Sequence, residues 1–220
     1  MSIDRPLVFF AVTMFAALAA ISRPPSAQAQ NLHEDFVVAV ANDRASEVKA
    51  LLARGLDPDT VDRNGDPALV VAARAGYVAT VDVLLAGRAN VNRRNSAGDT
   101  PIMVAALGGH LDIVKRLRAA GAEVNRAGWT PLIYAATGGR DVVVVYLLAQ
   151  GADINAVSPN GTTALMMAVR EAKTKTVDVL LAKGADPNIR NRNDASALDW
   201  AKRNDDRELV ERLRRAGARD

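Results

Sequence analysis

One string returns five times along the chain. GDPALVVAARAG begins at Gly65, GDTPIMVAALGG at Gly98, GWTPLIYAATGG at Gly128, GTTALMMAVREA at Gly161 and DASALDWAKRND at Asp194, in steps of 33, 30, 33 and 33 residues. A unit of that size cannot bury an apolar face by itself, so a recurrence at this period means that neighbours stack and share one continuous core. A second landmark keeps the same register: Leu51, Leu84, Leu117, Leu147, Leu180 and Leu213 are each followed within four residues by GLD, RAN, GAE, GAD, GAD or GAR. Six units therefore tile residues 32–220, at about 32–61, 62–94, 95–125, 126–157, 158–190 and 191–220. The first and last depart from the pattern and read as caps that shield the apolar stack from water.

Within a unit the residues read as two short helices. Thr100 and Thr130 are suited to accept backbone N–H groups as N-caps, and the proline after each sits at the first helical position, where no donor is needed. Ala105-Ala106 and Ala135-Ala136 let neighbouring helices approach closely, which suits a chain that is 49% hydrophobic but only 4% aromatic. Gly55, Gly121, Gly151, Gly184 and Gly217 follow the second helix, where a left-handed residue is common.

The pattern resembles the ankyrin repeat. The resemblance is carried by Thr100-Pro101-Ile102, Thr130-Pro131-Leu132, the pairs Leu84-Leu85, Leu147-Leu148 and Leu180-Leu181, and the exits Gly151-Ala152-Asp153-Ile154-Asn155 and Gly184-Ala185-Asp186-Pro187-Asn188. It implies an all-α solenoid of about six helix-turn-helix units joined by β-hairpin-like fingers, whose fingers and first helices form a concave binding face. Three departures stand out. The histidine usual after the TPL element is replaced by Val70, Met103, Ile133, Met166 and Asp199, so its hydrogen bonds between repeats are expected to be missing. Arg88 stands where a unit normally ends in glycine. After Asn125, Arg126-Ala127 replaces a longer turn and shortens one finger by about three residues.

The N-terminus reads as an export signal. Leu7 to Ile21 is a run of 15 uncharged, mostly apolar residues behind Arg5, too short for the roughly 20 residues that a membrane span needs. Ala27-Gln28-Ala29 follows with the small residues a signal peptidase accepts, so cleavage is expected after Ala29, with residues 1–29 as signal peptide and a periplasmic destination.

Nothing in the chain marks a reaction centre. The absence of Cys rules out disulfides, thiolate metal sites and thiol catalysis. Of the two histidines, His110 opens a second helix as a structural cap, and His33 lies beside Glu34 and Asp35, where adjacent residues do not converge on one ligand. Gly108-Gly109 and Gly138-Gly139 recur at one repeat position and read as turns rather than phosphate loops. The expectation is therefore no catalytic residue, no cofactor and no metal; a hydrolase grafted on the repeats is disfavoured because recurrence explains every candidate. A net charge of +3 is too small to demand nucleic acid.

What remains is a surface. By register, the concave face carries Arg63, Arg74, Arg93, Arg94, Arg126, Arg170, Arg190, Arg192 and Arg203 against five carboxylates, and an acidic partner protein is the expectation. Trp129, next to the shortened finger, is the expected hot spot. Trp200 and Tyr134 share a register with Val71, Val104 and Met167 and are expected in the core. The reading is a monomeric periplasmic binding protein that stabilises, tethers or regulates a partner, with immunity to or inhibition of an exported toxin or envelope enzyme as the alternative.

Overall fold

A computed structural model describes residues 25–220. The apolar run Leu7 to Ile21 lies outside the described residues, and the expected cleavage point after Ala29 falls within the first helix. Among the described residues there are twelve helices and no strand: α1 (Pro25–Ala41), α2 (Ala45–Ala53), α3 (Ala68–Ala75), α4 (Val78–Ala86), α5 (Pro101–Gly108), α6 (Leu111–Ala119), α7 (Pro131–Thr137), α8 (Asp141–Ala149), α9 (Ala164–Arg170), α10 (Thr174–Ala182), α11 (Ala197–Arg203) and α12 (Arg207–Arg215). Eleven of these have only seven to nine residues. Helices of that length are marginal in water, so burial of their faces holds them.

Helices pack in chain-order pairs, and the pairs stack in two layers. The odd-numbered helices α1 to α11 contact one another in succession, as do the even-numbered helices from α2 to α10, less extensively. The odd layer is close because its facing residues are small: Ala72, Ala73, Ala105, Ala106, Ala135 and Ala136 are fully buried. Leu69, Ile102, Leu132 and Leu165 fill the space between the layers with Leu84, Leu117, Leu147 and Leu180. At the chain's far end Leu209 and Leu213 are buried while the charged residues of α12 face out, with Arg212 on Asp178 at 2.6 Å.

Three of the first helices, α7, α9 and α11, start on a side-chain cap, whereas α3 starts on Pro67 without one. Thr130 Oγ1 accepts from the Ile133 N–H at 3.3 Å, Thr163 from Met166 at 3.2 Å and Ser196 from Asp199 at 3.2 Å. Asp199 returns a bond to the Ser196 N–H at 2.8 Å, and this backbone donor, with Ser196 Oγ, Arg190 and Lys202, holds its carboxyl below the usual range.

Bonds between neighbouring pairs come from an Asp or Asn at the exit of the second helix, whose reach into the next unit its register did not reveal. Asp59, Asn92, Asn125, Asn155 and Asn188 accept, through a side-chain oxygen, the N–H of Asn90, Glu123, Asp153, Asp186 and Arg219 at 2.8–3.0 Å. Asn92, Asn125 and Asn188 also donate to the carbonyls of Gly121, Gly151 and Gly217. A second ladder covers the ends of the odd helices: the Tyr77 hydroxyl donates to Ala41 O, Arg140 Nε to Leu107 O, and His110 Nε2 lies 3.2 Å from Arg74 O. His110 thus joins neighbouring helix pairs. Gly76 leaves room for it: with φ of +82°, a Cβ there would come within 2.7 Å of the imidazole. Arg88 adopts φ of +65°, the conformation that Gly121 takes at the equivalent exit.

Candidate functional site

The loops ahead of the odd helices, expected as β-hairpin-like fingers, are tight turns; among the described residues the one strand-like pairing is the Val61–Pro67 bridge. In four loops the first residue closes the turn. The N–H of Asp62, Asn95, Ser158 and Asn191 donates to the carbonyl four residues on, at 2.9–3.0 Å. Their side chains accept from the turn: Asp62 Oδ1 from Asn64 and Asp66, Asn95 Oδ1 from Ala97 and Asp99, Ser158 Oγ from Thr162, and Asn191 Oδ1 from Asn193 and Ala195. These local bonds satisfy the backbone that a ladder would otherwise serve.

The loop from Asn125 to Gly128 has no such residue, because the three missing positions include the one that closes the turn. Trp129 follows, in the register held by Asp66 and Asp99 in the preceding loops. It is 36% exposed and meets Tyr134 edge to face, with ring centroids 6.2 Å apart and planes at 87°. Leu107, Trp129, Tyr134, Thr137 and Met167 line a hollow of about 140 Å³. Leu107 is 39% exposed, an apolar side chain in the register that carries Arg74, Arg170 and Arg203. The Tyr134 hydroxyl donates to Asp99 Oδ1. Burial first, and then the neighbouring Asp99 carboxylate, push the Tyr134 phenol well above its ordinary value.

Tyr134 and Trp200 are half-buried rather than core, while Val104 and Met167 in the same register are buried. That column runs along the edge of the odd layer, where Val71 is also only partly covered and the large rings of Tyr134 and Trp200 project past their neighbours.

The nine arginines do not form a uniform positive face. Arg63 pairs with Glu34 at 2.5 Å, Arg74 with Asp66 at 2.7 Å, Arg93 with Asp59 at 3.9 Å, Arg126 with Glu123 at 3.2 Å, and Arg170 with Glu171 at 2.9 Å. Arg190 reaches Asp199 at 3.4 Å and Asp194 at 3.6 Å. Arg94, Arg192 and Arg203 are exposed, with no carboxylate within ion-pair distance among the described residues. Arg74 holds the Asp66 carboxyl below the usual range. Exposed pairs of this kind are worth about 0–1 kcal/mol, so a partner carboxylate can compete for most of these guanidinium groups.

The sequence reading placed Trp129 at this site but missed Leu107 and Tyr134. A signal for Leu107 was present, since a leucine breaks a column otherwise holding arginine or threonine. For Tyr134 there was none, because its register alone does not tell a covered ring from a projecting one. Among the described residues no group of three or more His, Asp or Glu gathers as a metal ion would require. The arrangement offers recognition surface: an aromatic pair, an apolar hollow and planar cationic donors.

A family model described as ankyrin repeats (3 copies) matches residues 36–127, 70–158, 125–191 and 143–219, overlapping spans that run nearly the length of the described chain. No curated protein matches the chain.

Proposed function

Because the chain belongs to the ankyrin-repeat family, whose repeats generally serve as non-catalytic modules for binding other proteins, we propose that it holds a partner protein on the face made by its loops and odd-numbered helices. The observation that carries this reading is Trp129. A large aromatic side chain, exposed beside an apolar hollow and backed by a second ring, has the composition of an interface hot spot. The arginines around it supply the polar rim, and the partner surface that fits them is acidic.

The protein acts as a monomeric solenoid of six units, two of them caps. The leader sequence supports work in the periplasm, where the protein stabilises, tethers or regulates an envelope protein. Neutralising an exported toxin uses the same surface and is the alternative role.

The test is capture from a periplasmic extract by the full chain and by a variant carrying Trp129→Ala, Arg94→Glu and Arg126→Glu. The expected result is loss of the captured protein with helical circular dichroism unchanged. Undiminished capture rejects this face.

A further inference from the structure

We propose that a second hollow on the same face, between α9 and α11, is a pocket for the side-chain carboxylate of an acidic segment of the partner. This rests on the partner-binding reading and adds the chemistry and direction of what is bound. The hollow has a volume of about 270 Å³, and Arg170, Arg203, Trp200 and Asn193 are among the residues that line it. The Arg170 guanidinium carbon stands 5.8 Å from the Trp200 ring centroid, a cation–π contact that holds the planar group in place. Two of its nitrogens, Nε and Nη2, face Glu171 at 2.9 Å, which leaves Nη1 free of that pair. Arg203 has no carboxylate partner among the described residues, and no carboxylate belongs to the lining. Asn204 fixes the far wall by donating to the carbonyls of Val169 and Arg170, both at 3.4 Å. The hollow therefore presents two guanidinium groups on a partly fixed frame, a donor set that matches a carboxylate.

The neighbouring hollow gives the pocket its direction. Met167 lines the apolar hollow and Arg170 lines this one, three residues along α9. The apolar hollow reaches from α7 to α9 and this one from α9 to α11, so the two adjacent gaps lie about one helix spacing apart, roughly 8–10 Å. An extended segment covers that distance in about three residues at roughly 3.3 Å each. The bound segment thus sets an apolar side chain against Trp129 and Tyr134 and a Glu or Asp three residues away against Arg170 and Arg203.

The two tryptophans make the two hollows separately visible, since Trp129 belongs to one and Trp200 to the other. The full chain, labelled with nitrogen-15, is titrated with an acetylated, amidated Leu-Ser-Ser-Glu peptide and with its Leu-Ser-Ser-Gln counterpart, and the two indole resonances are assigned through Trp129→Phe. The Glu peptide is expected to shift the Trp200 indole saturably, with a Kd at least tenfold lower than that of the Gln peptide. Arg170→Gln with Arg203→Gln is expected to abolish that preference at an unchanged melting temperature. Equal Kd values for the two peptides, or a preference surviving in the double variant, would overturn the pocket. So would inorganic phosphate shifting the Trp200 indole as strongly at the same concentration. A Trp129 indole that responds to both peptides while Trp200 responds to neither removes the carboxylate pocket and leaves the partner-binding reading standing. Silence of Trp129 together with a Glu-selective Trp200 supports the pocket and counts against the apolar hollow.

Discussion

The loop ahead of α5 and the loop ahead of α7 join equivalent helices, yet one is three residues shorter. In the longer loop Asn95 closes the turn with two side-chain bonds, and Asp99 is left facing the Tyr134 hydroxyl. In the shorter loop the closing residue is gone and Trp129 stands in the register of Asp99, half-exposed over Tyr134. The lesson is that this chain leaves its apolar hollow where the period is broken. In the longer loop local bonds fill the turn with its own atoms; in the shorter one an aromatic edge and an apolar hollow are left for something else.

Restoring the period should have the largest effect. Inserting Arg-Asn-Ser between Arg126 and Ala127 copies Arg94 to Ser96 into the short loop and returns the step to 33 residues. With the turn closed over the hollow, affinity for the captured partner is expected to fall by about 30-fold, the loss of one hot spot of about 2 kcal/mol. Calorimetric titration checks it, and an unchanged Kd would detach the site from the missing residues.

Breaking the long loop instead tests the other half of the comparison. Asn95→Ala leaves the N–H groups of Ala97 and Asp99 without their acceptor and is expected to cost about 1–1.5 kcal/mol in urea unfolding. Partner affinity should stay within twofold.

The smallest effect is expected where the two loops meet, at Tyr134. Tyr134→Phe removes the bond to Asp99 and should cost about 0.5–1 kcal/mol at pH 8. The phenol is raised above its ordinary 10.0 by burial and by Asp99, so folding favours its protonated form. That contribution is complete below pH 10 and is lost as pH rises beyond it. Unfolding curves at pH 8 and pH 11 should therefore converge for wild type and variant at the higher pH, and a constant gap would remove Tyr134 from the alkaline fall in stability.

Much of the fold was legible because its causes lie within one unit. Thr130 ahead of Pro131, Leu147 ahead of Gly151, and the Ala105-Ala106 pair act through neighbours a few residues away, so spacing alone reports them. The cross-links were less legible. Asn92 and Asn188 recur in register, but whether they serve a turn of their own or a neighbour's backbone depends on how the pairs stack; both bond the next pair. The same holds for charge. Arg63 and Glu34 are 29 residues apart and pair only because adjacent units bring them together.

By itself the sequence determined the period, the short helices, the closely packed layer of alanines, and the place where the spacing fails, because each follows from local residue chemistry repeated at a constant step. Tertiary structure alone decided which arginines find carboxylates, that Arg170 rests on Trp200, and that Tyr134 projects while Met167 is covered. Those outcomes depend on the rotation and separation between neighbouring helix pairs, which set the distances between side chains that a one-dimensional register leaves open.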